Sequence, residues 1–159
     1  MNEHDKWFEE AAKMARQSGC LKGKCGAVLV AGDKIIGSGF NSPAGGELNR
    51  CLDKYIIPEN NKHNVTCCSH AEVRAIHDAL LNFPDQIKDS TLYFMRVDQE
   101  GNQTFAKVPY CTTCSNEALD SGVKYFGLLY EEGAKVFPTQ EYNNISYNYF
   151  KDPTLWQLK

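Results

Sequence analysis

The sequence predicts an α/β fold in three layers, α-β-α, with helices on both faces of one central mixed sheet. Helix-like and strand-like stretches follow one another in the order α-β-β-α-β-α-β before a final tail. Apolar runs such as GAVLVA and KYFGLLY suit strands buried inside a sheet. With 159 residues and 42% hydrophobic content the chain has the size of one compact domain, read as residues 1–159 with 131–159 as an aromatic-rich tail.

The first helix is read over residues 5–17, where Trp7, Phe8, Ala11, Ala12, Met14 and Ala15 recur at helical spacing and Ser18-Gly19 is the stop signal. Residues 26–31 and 34–40 read as two strands, and Gly32-Asp33 between them has the composition of a tight hairpin turn. A polar connection rich in Gly, Asn, Pro and Cys then runs over residues 41–69; a loop of that length inside a compact domain is usually functional. Helical spacing returns over 70–82 through Val73, Ile76, Ala79 and Leu80, and 91–97 is a β-rich run. Residues 98–103, with Gly101-Asn102, read as a turn or hairpin tip. A helix over 111–121 stops at Gly122, and 124–130 is a further buried strand. The tail alternates aromatic and polar residues and is assigned no further than a short strand or helix. Its Tyr142, Tyr147, Tyr149, Phe150 and Trp156 are read as packing on the sheet or forming a subunit interface rather than stacking on a base.

The charge balance is 17 basic against 20 acidic residues, a net of −3, which argues against a wide phosphate-binding surface for duplex DNA or RNA. A polynucleotide partner is therefore not expected. No apolar run approaches the roughly 18 residues of a membrane span, and the first residues show no secretory signal pattern. Seven cysteines, at positions 20, 25, 51, 67, 68, 111 and 114, make an odd number, which does not suit a disulfide scaffold. A reducing, cytoplasmic compartment is expected, where clustered thiols more often bind metal or do redox chemistry.

Two short pieces carry the chemistry. His70-Ala71-Glu72 opens one helix, and Pro109-Tyr110-Cys111-Thr112-Thr113-Cys114 opens the next. Cys111 and Cys114 are three apart, so on a helix their sulfurs face the same way. A helix N-terminus favours the thiolate that binds metal. With His70 they make three N/S ligands suited to zinc, leaving a fourth position for water, as in catalytic sites. Bound zinc lowers the pKa of that water to about 7. Glu72, two residues from the His, is placed to shuttle protons without binding metal. Plainer readings exist for each piece. Ser69-His70-Ala71-Glu72 also fits a capping box, in which Ser69 and Glu72 satisfy backbone donors. Cys111-x-x-Cys114 is also a thioredoxin-like redox pattern, though this leaves His70 and Glu72 without a use. A closed structural zinc would take Cys67 or Cys68 as fourth ligand.

A His-x-Glu followed by Pro and Cys-x-x-Cys is the signature of zinc deaminases, and the chain resembles the cytidine/deoxycytidylate (CMP/dCMP) deaminase superfamily. Gly26-Ala27-Val28-Leu29-Val30 with Ile36 and Gly39-Phe40-Asn41 looks like that family's first hairpin, and the likeness spans roughly residues 5 to 130. The long connection with Cys51 and Cys67 looks most like the dCMP branch. The resemblance implies a cytidine-deaminase-like fold, with His70, Cys111 and Cys114 as Zn2+ ligands and Glu72 as proton shuttle. It further implies that Asn41 contacts the sugar or base and that the Ala71 backbone N–H lies near the pyrimidine carbonyl. The implied reaction is deamination of a cytosine nucleotide, dCMP to dUMP first, with release of ammonia, in a homo-oligomer. The alternatives are the same chemistry on a nucleoside, on guanine or on a base in RNA or DNA, and a non-catalytic zinc- or nucleotide-binding module. Some dCMP-type relatives carry a second, structural zinc, for which Cys51, Cys67, Cys68 and His63, with Cys20 and Cys25, are the candidates here. Two positions depart from the pattern. Tyr110 intervenes between Pro109 and Cys111, which changes the wall of the substrate site. Arg74 stands where the dCMP branch commonly has Asn, and is read first as a surface charge. Candidate phosphate contacts are Arg50, Lys54, Lys62, Arg74, Arg96 and Lys107.

Overall fold

Successive side chains of a strand point to opposite faces, so a strand that is apolar throughout needs cover on both sides. The structure, a computed structural model, describes residues 2–46, 50–61, 65–108 and 111–151. In it β1 (Lys24–Ala31) and β3 (Thr91–Val97) are such strands at the centre of the sheet. Val28, Val30, Tyr93, Met95 and Val97 pack against α1 (Asp5–Ala15), which buries Phe8, Ala11, Ala12 and Ala15. The opposite face carries Ala27, Leu29, Leu92 and Phe94, covered by α2 (Ala71–Asn82) and α3 (Thr112–Ser121). This is the expected three-layer arrangement.

The remaining elements are β2 (Lys34–Phe40), β4 (Gln103–Thr104), β5 (Tyr125–Tyr130), β6 (Gly133–Pro138) and α4 (Thr139–Asn148). The strand order is β2-β1-β3-β5-β6, with β4 paired to the end of β3. β3 and β5 are parallel, joined by a crossover through α3, and every other pair is antiparallel, so the sheet is mixed. A glycine on β2 lets α2 come close. A Cβ at Gly39 would lie 2.6 Å from the Arg74 Cβ and 2.8 Å from the Ala71 carbonyl oxygen. Any larger residue there would push the start of α2 off the sheet. Gly122 ends α3 in the left-handed conformation (φ 88°), as its position predicts.

Two stretches differ from the sequence reading. Residues 103–104, expected at or beyond a turn, form β4 against Arg96 and Val97. The tail becomes an edge strand and a helix. Tyr142 of α4 is fully buried and stacks on Phe126 of β5, with ring centroids 4.1 Å apart. Tyr149 packs on the same core, while Tyr147 and Phe150 stay exposed edge-to-face with each other. Trp156 lies outside the described residues.

The tail thus contributes core rather than decoration. Tyr142→Ala is expected to cost about 3–5 kcal/mol of stability, as for other large buried aromatics. Tyr147→Ala should stay within about 0.5 kcal/mol. Denaturant midpoints of the two variants check this; equal midpoints would contradict the packing.

Candidate metal centre

The starts of α2 and α3 bear the chemistry. Both helices pack on one sheet face and on each other. Each takes a candidate ligand as its N-cap residue, His70 with φ −73° and ψ 151°, and Cys111 with φ −57° and ψ 119°. Neither side chain caps its own helix. Residues in this position have left helical geometry, so their side chains are free to turn across the gap between the helices. Cys114, three residues on from Cys111, lies on the same side of α3. One ligand atom from each of His70, Cys111 and Cys114 lies within 4.8 Å of the others. The His70 Nδ1 is 3.1 Å from the Cys114 Sγ, so that ring nitrogen faces the thiols.

These spacings suit zinc. Tetrahedral ligands at ordinary Zn–N and Zn–S bond lengths lie roughly 3.5–3.8 Å apart; His70 Nδ1 and Cys114 Sγ stand slightly closer than that and no pair lies beyond 4.8 Å, so only small adjustments bring the three atoms to those spacings. The protonation pattern agrees. A hydrogen bond from Cys114, and after it His70, holds the Cys111 thiol down at about 3. Its partner Cys114 is pushed up by the same shared proton and by burial. Two sulfurs sharing one proton form a site that a divalent cation can occupy by displacing it.

Glu72, the second residue of α2, is buried, and burial raises its carboxyl pKa above the ordinary carboxylate value. The capping-box reading does not hold for it. The N-cap is His70, with no side-chain cap, and Ser69 instead exchanges backbone hydrogen bonds with Ser42. Glu72 faces a cavity of about 360 Å³ that His70, Cys111, Phe94, Asn41 and Ala71 also line. Among the described residues it is the one carboxylate there.

Asn41 has a structural task as well as a place on the cavity wall. Its Oδ1 accepts the Cys25 backbone N–H at 2.8 Å, and its Nδ2 donates to the Gly23 carbonyl at 2.8 Å. It therefore clamps the start of β1, leaving one amide hydrogen for other use. Cys25, on the cavity wall, is kept a neutral thiol by burial, its pKa pushed up to about 11 against the pull of Arg96.

Arg74 is not the surface charge its sequence position suggested. It is half-buried, and its guanidinium donates to the carbonyls of Pro43 (2.9 Å) and Ser42 (3.4 Å). The close seat of α2 on Gly39 directs it there, and it ties the polar connection to the first turn of α2. Of Arg50, Arg74, Arg96 and Lys107, Arg96 lines the cavity and the others do not; Lys62 and the Lys54 side chain lie outside what the structure describes. Lys22 also lines the cavity and went unnoticed in the sequence. Its signal there was only a basic residue beside Gly23 before the first strand.

The remaining thiols gather loosely. Burial, then Cys67, Cys20 and Cys51 nearby, push the Cys68 thiol up to about 12. Cys20 and Cys51 accept backbone N–H groups from Gly23 and Leu21. Among the described residues no second group of three ligating side chains comes together, and His63 lies outside them, as do Pro109 and Tyr110. No described helix is long and apolar enough to cross a membrane.

Residues 1–128 match the family model described as the cytidine and deoxycytidylate deaminase zinc-binding region. No curated protein sequence matches the chain. Among solved structures, the fold is similar to dCMP deaminase from the cyanophage S-TIM5 in apo form, at 20% identity and a TM-score of 0.57 over 79% of this chain and 82% of that one. The same enzyme in complex with dCMP and dUMP aligns at 23% identity and 0.55, over 79% and 81%. A cytidine deaminase from Burkholderia pseudomallei aligns at 17% identity and 0.57, covering 89% of this chain and 96% of that one.

The Asn41 clamp makes a direct prediction. Asn41→Ala strands the Cys25 N–H without its acceptor and should cost about 1–3 kcal/mol. A melting temperature equal to that of the parent protein would show that the clamp carries no stability.

Proposed function

The chain belongs to the cytidine and deoxycytidylate deaminase family, and from that premise we propose that it is a zinc-dependent hydrolase converting dCMP and water to dUMP and ammonia. One observation carries the reading: a buried carboxylate, Glu72, shares a cavity with a His/Cys/Cys set of three ligand atoms. Three protein ligands leave one coordination position for the reaction, whereas a structural zinc is closed by four.

The Nδ1 of His70 and the sulfurs of Cys111 and Cys114 would hold the ion. When bound, zinc supplies the Lewis acidity that lowers the pKa of water to about 7. The rest is the work of this chain's own groups. Glu72 takes one proton from the attacking water and gives it to the ring nitrogen N3 as the oxygen bonds to C4, then carries the remaining hydroxyl proton to the amino group, so that the C4–N bond breaks, ammonia departs and the carbonyl stays on C4. Phe94 gives the pyrimidine an apolar wall. The Ala71 N–H belongs to the first turn of α2, where backbone donors have no helical acceptor, and it meets the ring carbonyl. The spare amide hydrogen of Asn41 reaches the sugar. The chain's net negative charge favours a free nucleotide over a polynucleotide.

Incubation of zinc-loaded protein with dCMP, CMP, deoxycytidine, cytidine, adenosine and guanine, with ammonia as readout, tests this. Release should be fastest from dCMP. Glu72→Ala should retain zinc and lose roughly 10²–10⁴-fold in rate; near-normal turnover would remove Glu72 from the mechanism. Cys111→Ala and Cys114→Ala should lose both the metal and the activity. Zinc and nucleotide binding without turnover across the panel would establish a binding module instead.

A further inference from the structure

We propose that Asn143 and Ser146 of α4 are positioning residues for the metal centre: they hold the first turn of α3 at the rotation that aims Cys111 and Cys114 at His70, and so set how tightly the site binds its ion. The proposal rests on the zinc reading above.

The argument concerns two faces of one turn. Thr112, Ser115 and Asn116 follow the i, i+3, i+4 spacing that shares one side of a helix, and all three meet α4. Asn143 Nδ2 donates to Ser115 Oγ at 2.8 Å and to Asn116 Oδ1 at 2.7 Å. Ser146 Oγ lies 3.3 Å from Ser115 Oγ and 3.4 Å from Thr112 Oγ1. Cys111 directly precedes Thr112 and Cys114 directly precedes Ser115. One residue turns a helix by about 100°, so one side of the turn faces α2 and the adjoining side faces α4. A rotation of α3 about its axis would carry both sulfurs away from His70 together, and it would break the contacts with α4 as it did so.

The turn itself closes through Ser115. Its N–H donates to the Cys111 carbonyl (3.3 Å) and its Oγ donates to the Thr112 carbonyl (3.1 Å). Ser115 is fully buried and Ser146 nearly so, so their hydroxyls have to find partners inside the protein. Ser146 Oγ has a further one in the Asn143 carbonyl at 3.1 Å. A closed set of polar partners fixes one rotation and one register between two packed helices, which apolar contact alone leaves looser. Tyr142, beside Asn143 in the chain, anchors α4 by its stack on Phe126, so the polar face is presented from a fixed helix. α4 lies wholly beyond residues 1–128, the stretch that matches the family model, so this brace reaches the zinc-binding region from outside it. Partners that orient metal ligands are typically worth 10–100-fold in metal affinity. Asn143 and Ser146 act at one remove, on the turn rather than on the sulfurs, which puts them at the lower end.

Zinc retention tests this. The zinc-loaded parent and variants are set against graded concentrations of a competing chelator and the metal retained is measured, with the melting temperature of each metal-free form beside it. Ser146→Ala and Asn143→Leu should each weaken zinc binding roughly 10-fold. The double variant should lose less than the product of the two, because both side chains serve one network. Ser146→Thr keeps the hydroxyl and should hold zinc more tightly than Ser146→Ala. Val28→Ala, a core truncation on the opposite face of the sheet, should lower the melting temperature and leave zinc affinity at the parent value. Affinity unchanged in Ser146→Ala and Asn143→Leu, or lowered no more than in Val28→Ala, would overturn the brace and leave α4 a packing role, with the deaminase reading intact. A parent that binds zinc without releasing ammonia from any substrate, but whose affinity follows these variants, would uphold the brace and overturn the deaminase reading. A parent that binds no zinc would overturn both.

Discussion

Everything in the site depends on two helices starting at the same place. α2 and α3 meet on one sheet face, and their N-cap residues, His70 and Cys111, turn toward each other instead of capping their own helices. That single meeting point gathers an imidazole and two sulfurs within 4.8 Å. It also sinks Glu72 into the same cavity from the first turn of α2. The sheet fixes the distance between the helices. Gly39 lets α2 approach β2, and the crossover from β3 to β5 lays α3 beside it.

The outer elements serve this meeting point. α4 covers the β5 side with Tyr142 and meets α3 through hydroxyls and amides: Asn143 donates to Ser115 at 2.8 Å, and Ser146 lies 3.3 Å from the same oxygen. Ser115 follows Cys114 directly, so these contacts brace the turn that bears both cysteines. On the other flank, Arg74 and the Ser42–Ser69 bridge tie the long polar connection to the start of α2. Asn41 locks the end of that connection to β1. Buried polar contacts of this kind define one geometry, because each unmet partner is costly in a dry interior.

The parts of this arrangement written in local pattern were legible in the sequence. Residues 34–40 and 91–97 are strands with the expected bounds, because their β-rich composition meets clear turn signals at both ends. The Cys111-x-x-Cys114 pair and the His70-x-Glu72 piece were visible as residue types at short spacing, while the meeting of the two pieces depends on helices distant in sequence. Less legible was whatever depends on distant partners. α4 could not be told from a strand because its buried positions include Thr139, Ser146 and a single large apolar ring at Tyr142, so no apolar stripe marks it. β6 is a half-buried edge strand with no clean alternation. Arg74 looked like a solvated charge because the carbonyls that hold it come from a loop some thirty residues away. Nothing local distinguishes Arg96 from the other cations; only the pairing of β1 with β3 brings it to the rim beside Lys22.

The central claim is an open metal position beside a buried carboxylate, and diffraction from crystals of the zinc-loaded protein on both sides of the zinc absorption edge tests it most directly. The account predicts anomalous density bonded to His70 Nδ1, Cys111 Sγ and Cys114 Sγ, with no fourth protein ligand and the remaining position turned toward Glu72. Zinc missing from these three atoms, or closed off by a fourth side chain such as Cys67 or Cys68, would contradict it.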